Sequence, residues 1–464
     1  MPPARPLCPI DVLRAVPRRY PVPALPASED EARQAAPAAA LAFAIEHARA
    51  AMAQQAAPPP ALQALFIDAL ARMIRDALRP EGGDPAVQAL VLRHHVPCVR
   101  EHAALAAQAD RDRRAIRSAV DAVAHPAKPR PEAPQPQRQA LERLHALASS
   151  GAWQALAADV RGLLDAPVAW QQPGIGAGLQ RILDAPALQR LQRLDALASD
   201  AAVRRHQGLQ ARQGPAAGTH AAAAHGADTR RRGAVAEAQA APALQALVDR
   251  LNTTAPASAR YRAVGSLLVP GRLAAHAERA KTEWDLAVLR QAPPVGDAPA
   301  WELCLLVEVK ASADAATSDF PRLLRGLALL AGADAAAALP FASRQGELQL
   351  RGASLRALAA EADLHRAVLY CCDGPADPAP RLLSAASRMQ LLSAPQSLAF
   401  AGRVADGQPA DLQALVPLWR QLLASPRFEQ VLRQYPTLCQ VRALMVHVDD
   451  LSAAVGAGTD PARQ

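Results

Sequence analysis

The sequence is poor in the residues that build large hydrophobic cores or covalent frameworks. Only 3% of its 464 residues are aromatic, and much of the 51% hydrophobic fraction is alanine. Because alanine buries little area, the long alanine-rich stretches predict packed helices rather than thick cores. The six cysteines lack the spacing of a disulfide framework or a zinc ribbon. These features exclude a disulfide-rich mini-protein, collagen and a wholly disordered chain.

Long apolar runs are lacking as well. The longest uncharged ones, 36–45 and 326–332, are too short to span a bilayer. Residues 1–26 alternate prolines with arginines and lack the apolar segment of a signal peptide. We therefore expect a cytoplasmic protein that does not associate with membranes.

Lysine is the scarcest charged residue. The chain has three, Lys128, Lys281 and Lys310, against 48 arginines, a bias typical of a bacterial, GC-rich composition. Arginine serves wherever a positive charge is enough, so a lysine inside an apolar strand indicates a need for its compact ammonium. The net charge of +8 favours a polyanionic partner such as DNA.

Composition and hydrophobic periodicity divide the chain into six segments. We expect a proline-rich leader (1–26), an α-helical region (27–212), a hinge rich in Arg, Gly and Ala (213–232), an α/β domain (233–405), a helical extension (406–455) and a disordered tail (456–464). The α/β assignment depends on one order of elements: a helix over 234–252, strands at 261–269, 284–289 and 301–310, a helix near 318–330 and a strand at 365–372. Residues 388–392 are a weaker strand candidate. The predicted fold is a helical half followed by a mixed sheet flanked by helices.

The decapeptide WELCLLVEVK, residues 301–310, carries the strongest chemical signal. As a strand it alternates faces, so the residues divide into two sets: Leu303, Leu305, Val307 and Val309 on one side, and Cys304, Leu306, Glu308 and Lys310 on the other. A carboxylate and an ammonium then emerge side by side at the end of an apolar strand. Because the desolvation of such a pair roughly cancels its attraction, a functional site explains it better than stability does.

Asp285, in the preceding strand, is the expected partner of Glu308. A loop with three prolines and a glycine joins the two strands, which suits antiparallel neighbours and places the carboxylates about 5 Å apart. At that separation they repel unless a divalent cation lies between them, and oxygen ligands suit Mg²⁺ or Mn²⁺. Lys310 would orient or deprotonate a water against a phosphodiester and offset charge on the transition state.

The segments EWDL (283–286) and VEVK (307–310) resemble the PD-(D/E)XK nuclease superfamily, with its restriction-endonuclease-like fold, over residues 233–405 only. The resemblance implies Asp285 and Glu308 as metal ligands together with the Val309 carbonyl, and Lys310 as the catalytic lysine. It also implies an auxiliary Glu237 on the first helix. Trp284 replaces the proline that precedes the aspartate in many members.

The resemblance further implies substrate contacts from the helix after the lysine, at Arg322 or Arg325. The run Arg230, Arg231 and Arg232, directly before the domain, is a candidate for phosphate neutralisation. The expected function is therefore Mg²⁺-dependent hydrolysis of DNA. The helical N-terminal half would recognise the substrate, bind a protein partner or mediate self-association.

Plainer interpretations stay open. Glu308 and Lys310 could mark a strand end whose charges meet solvent, and Glu237 a solvated helix position. The residues His94, His95, Cys98 and His102 could ligate zinc, but Pro97 interrupts the helix that would align them. The competing functional class is a non-enzymatic helical interaction protein that carries an inactive nuclease-like domain.

Overall fold

The computed structural model describes residues 13–125, 134–165, 174–214, 220–254, 260–274, 279–295, 298–376 and 380–456. The chain forms two compact units: Met1–Leu70 with Ala216–Gln390 and Trp419–Gln464, and Ala71–Pro215 with Leu391–Leu418. The N-terminal 70 residues thus group with the α/β part, which the linear order of predicted segments does not show. Lys128 and the predicted tail from 457 onwards lie outside the described residues.

Helices fill the described residues from 29 to 211. They are α1 (Glu29–Gln34), α2 (Pro37–Ala53), α3 (Pro60–Leu78), α4 (Pro85–His95), α5 (Pro97–Ala124), α6 (Gln135–Ser150), α7 (Trp153–Asp165), α8 (Ile175–Leu183), α9 (Pro186–Ala198) and α10 (Ala201–Ala211). Five of them begin with proline, whose missing N–H needs no partner in the first turn. The side chains of Asp84 and Asp200 cap α4 and α10 by accepting from backbone N–H groups.

Leucine and alanine build the core of the second unit. Leu144, Leu156, Leu179 and Ile182, from α6, α7 and α8, are fully buried together with residues of α5 and α9. This confirms the expectation that the alanine-rich stretches pack as helices, because small residues let helices approach closely without a thick aromatic core.

The described part of the first unit combines helices with seven strands. In chain order they are α11 (His220–Thr254), β1 (Tyr261–Leu268), α12 (Gly271–Ala274), β2 (Glu283–Val295), β3 (Ala298–Lys310), α13 (Ala313–Leu330), β4 (Ala338–Ser343), β5 (Gly346–Arg351), α14 (Gly352–Ala359), β6 (Val368–Cys372) and α15 (Ala385–Leu392). The chain then continues, through both units, with α16 (Pro395–Ala405), α17 (Val416–Ala424), α18 (Glu429–Leu432), α19 (Gln434–Leu444), β7 (Met445–His447) and α20 (Val448–Gly456), with 3₁₀ turns at Leu364–Arg366, Leu412–Leu415 and Pro426–Phe428.

Two local predictions need correction. The strand candidate at 388–392 is part of helix α15, since Leu391 and Leu392 pack as the buried side of a helix rather than alternating. The segment predicted as a hinge is helical from His220 onwards, because its alanines extend α11 towards the N-terminus.

The sheet is mixed, and five of its strands close into a ring. β1, β2 and β3 form an antiparallel meander. The other edge of β3 pairs in parallel with β5 at Ala300 and Trp301, and with β6 from Leu306 to Lys310. The β4–β5 hairpin returns to β1 at Leu268, and β7 extends the sheet beyond β6. The mixed sheet is confirmed, but a closed five-stranded barrel replaces the expected sheet flanked by helices. β3 is long enough for its two halves to pair with different strands.

Helices cover both faces of strands β2 and β3, which carry Asp285, Glu308 and Lys310. α13 packs with Phe320 and Leu323 on the side of Leu306, whereas α11 packs on the side of Leu305 and Val307. The predicted alternation of β3 is correct from Leu305 onwards.

The alternation fails at Leu303, which packs with Leu306 rather than with Leu305. Leu289 pairs with Leu303 and Val288 with Leu305, so a β-bulge lies at Cys304 and shifts the preceding residues to the other face.

Within the described ranges, no helix is long and apolar enough to cross a membrane.

Candidate active site

The ends of β2 and β3 meet where the sequence places the two carboxylates of the motif. Leu286 pairs with Val307, so Asp285 and Glu308 are the next residues at neighbouring strand positions. The backbone N–H of Val309 donates to Asp285 Oδ2 at 2.8 Å. The antiparallel arrangement derived from the sequence is therefore the observed one.

Two ammonium groups lie among three carboxylates at this point. Lys310 Nζ is 3.0 Å from Glu308 Oε2, 3.3 Å from Asp319 Oδ2 and 3.9 Å from Asp285 Oδ2. Lys281 Nζ donates to Glu308 Oε2 and lies 3.9 Å from Asp319 Oδ2 and 4.0 Å from Asp285 Oδ1. Each lysine thus contacts all three acids. We call these five residues the carboxylate–lysine cluster.

Asp319 enters the cluster from α13, which begins directly after β3. Ser312 caps this helix, its hydroxyl accepting from the N–H of Ala315, so the chain turns back over the sheet within two residues of Lys310. Asp319 then lies nearly two turns into the helix, on the side that faces the strand ends.

Lys281 enters from the segment that precedes β2. Its backbone N–H donates to the carbonyl of Arg322 at 3.1 Å, which attaches the segment to α13. The sequence reasoning missed both Lys281 and Asp319. The scarcity of lysine, which singled out Lys310, also points to Lys281. Nothing in the sequence around position 319 marks Asp319 as part of the site.

Burial sets the electrostatics of the cluster. The side chain of Glu308 is 0% exposed, those of Lys281 and Asp319 are 10% and 11% exposed, and that of Lys310 is 17% exposed. The interpretation of Glu308 and Lys310 as a solvent-facing strand end is therefore wrong. Burial, and then the charge of Asp285, raise the pKa of Glu308 to about 8. Burial lowers the pKa of Lys310, but the negative charges of Glu308, Asp285 and Asp319 have the larger effect. The net result is a raised pKa.

Three buried polar atoms of the site have no hydrogen-bond partner among the described residues: Glu308 Oε1, the Tyr370 hydroxyl and Trp284 Nε1. Among the same residues, Asp319 Oδ2 has only its ion-pair contacts with the two lysines. Burial and the nearby carboxylates raise the pKa of Tyr370, so its hydroxyl stays protonated. Buried polar groups normally have a hydrogen-bond partner, so these unpaired atoms need an explanation.

The three carboxylates are oxygen donors of the kind that a divalent cation prefers, and Glu308 Oε1 has no hydrogen-bond partner among the described residues. However, no group of three or more His, Cys, Asp or Glu side chains in the described part of the chain is arranged to hold a metal ion. The two ammonium groups lie between the carboxylates instead.

The structure does not bring Glu237 to the cluster. It lies on α11, whose buried residues pack on the opposite face of the sheet, and its carboxylate accepts from Arg344 Nη2 at 2.8 Å. The exposed residues Arg230, Arg231 and Arg232 lie on the same helix.

The two arginines predicted on the helix after Lys310 lie on α13. Arg322 is half-exposed and its Nη1 is 3.8 Å from Asp319 Oδ1, so it borders the cluster. Arg325 donates twice to the carbonyl of Arg279, at 3.1 and 2.9 Å. Arg322 thus contacts the edge of the cluster, whereas Arg325 holds the segment that leads to Lys281.

The zinc alternative has no geometric support in the described residues. Pro97 starts a new helix directly after the one that carries His94 and His95, as expected, and the histidines take separate partners. His95 Nε2 lies 2.6 Å from Asp406 Oδ2, and His102 contacts Gln207.

No family model matches the chain, and no curated protein and no solved structure matches it. The resemblance to PD-(D/E)XK nucleases therefore stands on the motif residues alone. The function has to be argued from the geometry and chemistry of the carboxylate–lysine cluster.

Proposed function

We propose that this protein is a Mg²⁺- or Mn²⁺-dependent nuclease that hydrolyses phosphodiester bonds of DNA. Asp285 and Glu308, with Asp319, would hold the metal, and Lys310 would position the attacking water. The observation that carries the proposal is the fully buried Glu308, which has one oxygen against two lysines and the other without a hydrogen-bond partner among the described residues.

A purely structural role explains the cluster poorly. Moving several charges out of water costs more than their mutual attraction usually returns, and well-packed apolar residues would stabilise the fold at least as well. Yet two of the chain's three lysines lie here, in a protein that uses arginine elsewhere. Groups held at such a cost are typical of functional sites.

The chemistry follows from the arrangement of the side chains. A bound divalent cation would supply a more acidic water and neutralise charge on the phosphate. The N–H of Val309 fixes Asp285 through Oδ2 and leaves Oδ1 for other contacts. The raised pKa of Lys310 keeps it cationic, so it would hold the water and stabilise the developing negative charge rather than act as a base.

DNA is the favoured substrate class because of charge. The chain carries a net charge of +8, and the exposed guanidinium of Arg322 borders the cluster. A cationic side chain beside a metal site suits a polyanion whose scissile phosphate has to approach three carboxylates. The predicted role of the Val309 carbonyl as a further ligand belongs to this proposal.

The direct test is cleavage of supercoiled and linear DNA by the purified protein with Mg²⁺, Mn²⁺ or EDTA. We expect metal-dependent cutting by the wild type and by Arg356→Ala, which removes an exposed arginine of α14. Lys310→Ala should lose the cutting. Activity that persists in Lys310→Ala would assign it to a contaminant or another site, and no activity of the folded wild type with either metal would count against the proposal.

One observation favours a second candidate, an interaction protein with an inactive nuclease-like domain. The Lys281 ammonium donates directly to Glu308 Oε2, where a cation is expected in a site that has lost its metal. In that case neither Mg²⁺ nor Mn²⁺ should raise the melting temperature. In an active nuclease the metal should raise it, and Asp285→Ala should abolish the gain.

A further inference from the structure

Lys281 is the lysine of the cluster that neither the motif nor the family resemblance explains. Its ammonium donates to Glu308 Oε2 and lies within 4.0 Å of Asp285 and Asp319. Lys310, at the end of β3, contacts the same three acids from a second direction. Glu308 Oε2 therefore carries two ammonium contacts while Oε1 has no hydrogen-bond partner among the described residues.

The backbone of Lys281 is held in place by α13. Its N–H donates to the Arg322 carbonyl, and Arg325 fastens the neighbouring Arg279 through its carbonyl. Gly326 passes so close that a Cβ there would lie 2.7 Å from the Lys281 carbonyl oxygen and 3.0 Å from its Cβ. The anchored backbone and the contacts with the three carboxylates together fix the position of the Lys281 ammonium.

The charges of the cluster explain what such a lysine does. When all three carboxylates are ionised around a divalent cation, the cation and both ammonium groups together would leave one excess positive charge in a buried site. If the cation takes the place of Lys281, its two charges and that of Lys310 balance the three carboxylates. An exchange of Lys281 for the cation is thus the neutral arrangement, which burial strongly favours.

We propose that Lys281 is an internal counter-ion: it holds Asp285, Glu308 and Asp319 together in the metal-free protein and is displaced when the divalent cation binds. Lys281 thereby sets the cation concentration at which the site loads. This inference deepens the proposed nuclease function and rests on its metal site, but it makes a separate prediction about affinity.

The test is a calorimetric titration of the DNA-free full-length protein with Mn²⁺, which reads binding without activity. Lys281→Met removes the competing charge and should bind Mn²⁺ at least about tenfold more tightly than the wild type, as expected for one charge at such a distance. Lys281→Arg keeps the charge and should bind no more tightly than the wild type. Arg356→Met removes an exposed charge of the same unit and should match the wild type.

Lys281→Gln is a second neutral variant that can still donate to Glu308, should the methionine variant fail to fold. Equal affinity of the wild type and both neutral variants would overturn the counter-ion role and leave the metal site standing. Binding by the neutral variants alone would support the counter-ion and overturn nuclease activity of the wild type. Binding by none of the proteins would overturn both.

Discussion

The backbone N–H of Val309 donates to Asp285 Oδ2 at 2.8 Å, which ties the end of β3 to the start of β2 at the centre of the carboxylate–lysine cluster. A side chain from one strand thus replaces a ladder partner of the other. This hydrogen bond orients the Asp285 side chain. Because an uncharged amide oxygen could accept the same hydrogen bond, the structural role of Asp285 can be tested separately from its charge.

Asp285→Asn tests that separation. The amide oxygen can still accept from Val309, so we expect a folded protein with a melting temperature in EDTA close to that of the wild type. If the proposed nuclease function is right, losing this charge should cost at least about 100-fold in Mg²⁺-dependent DNA cleavage, on the order of 3 kcal/mol of transition-state stabilisation. Cleavage and thermal melting in EDTA are the two measurements. Wild-type cleavage by the variant would remove Asp285 from the metal site.

The stability of the metal-free protein should fall as the pH rises. The pKa of Glu308 is raised to about 8 in the folded state, from an ordinary value of 4.5, so the folded protein holds a proton that the unfolded chain has released between these values. Its contribution is complete below about pH 4.5 and is lost as the pH rises through 8, with a slope of up to about 1.4 kcal/mol per pH unit.

Urea unfolding in EDTA between pH 5 and 8.5, for the wild type and Glu308→Gln, measures this contribution. The neutral glutamine cannot titrate, so the variant should gain stability relative to the wild type as the pH rises. Asp285, Asp319, Lys281, Lys310 and Tyr370 face Glu308 in both proteins, and the difference between the two curves therefore isolates the one carboxyl. Parallel curves would show that Glu308 ionises at its ordinary pKa.

Gly326→Ala should destabilise the first unit by about 1–3 kcal/mol, because the new methyl group meets the Lys281 carbonyl at 2.7 Å and neither backbone can yield freely. Gly233→Ala is the matched control. Gly233 is also helical, and a methyl group added there would meet no atom within 4 Å, so alanine should stabilise by roughly 0.5–1 kcal/mol. Urea unfolding measures both, and similar effects of the two substitutions would contradict the tight packing at Lys281.

The second unit contains two arginine–carboxylate contacts that differ mainly in the burial of the carboxylate. Arg190 donates twice to Asp112, whose side chain is 4% exposed, whereas Arg193 donates twice to Glu101 in an exposed position. Arg190→Ala leaves a buried carboxylate without its partner and should cost about 3 kcal/mol. Arg193→Ala should cost less than about 1 kcal/mol. Unfolding followed by circular dichroism compares them, and equal costs would mean that Asp112 recovers a partner or water.

Local chemistry made part of the site predictable. Lysine scarcity and the alternation of residues 301–310 singled out Glu308 and Lys310, and the prolines of the preceding connection predicted an antiparallel partner strand, hence Asp285. These are short-range properties: a strand's period and a turn's composition depend on neighbouring residues alone.

Local sequence patterns were therefore sufficient to predict the helical N-terminal half, the antiparallel pairing of β2 with β3 and three of the five charged residues of the carboxylate–lysine cluster. The ring closure of the barrel, the bulge at Cys304 and the positions of Lys281 and Asp319 could not be predicted in this way. Each of these depends on how distant segments pack: β4 on β1, and α13 on the segment before β2. Such contacts are set by the shape and burial of whole elements, and no local pattern encodes them.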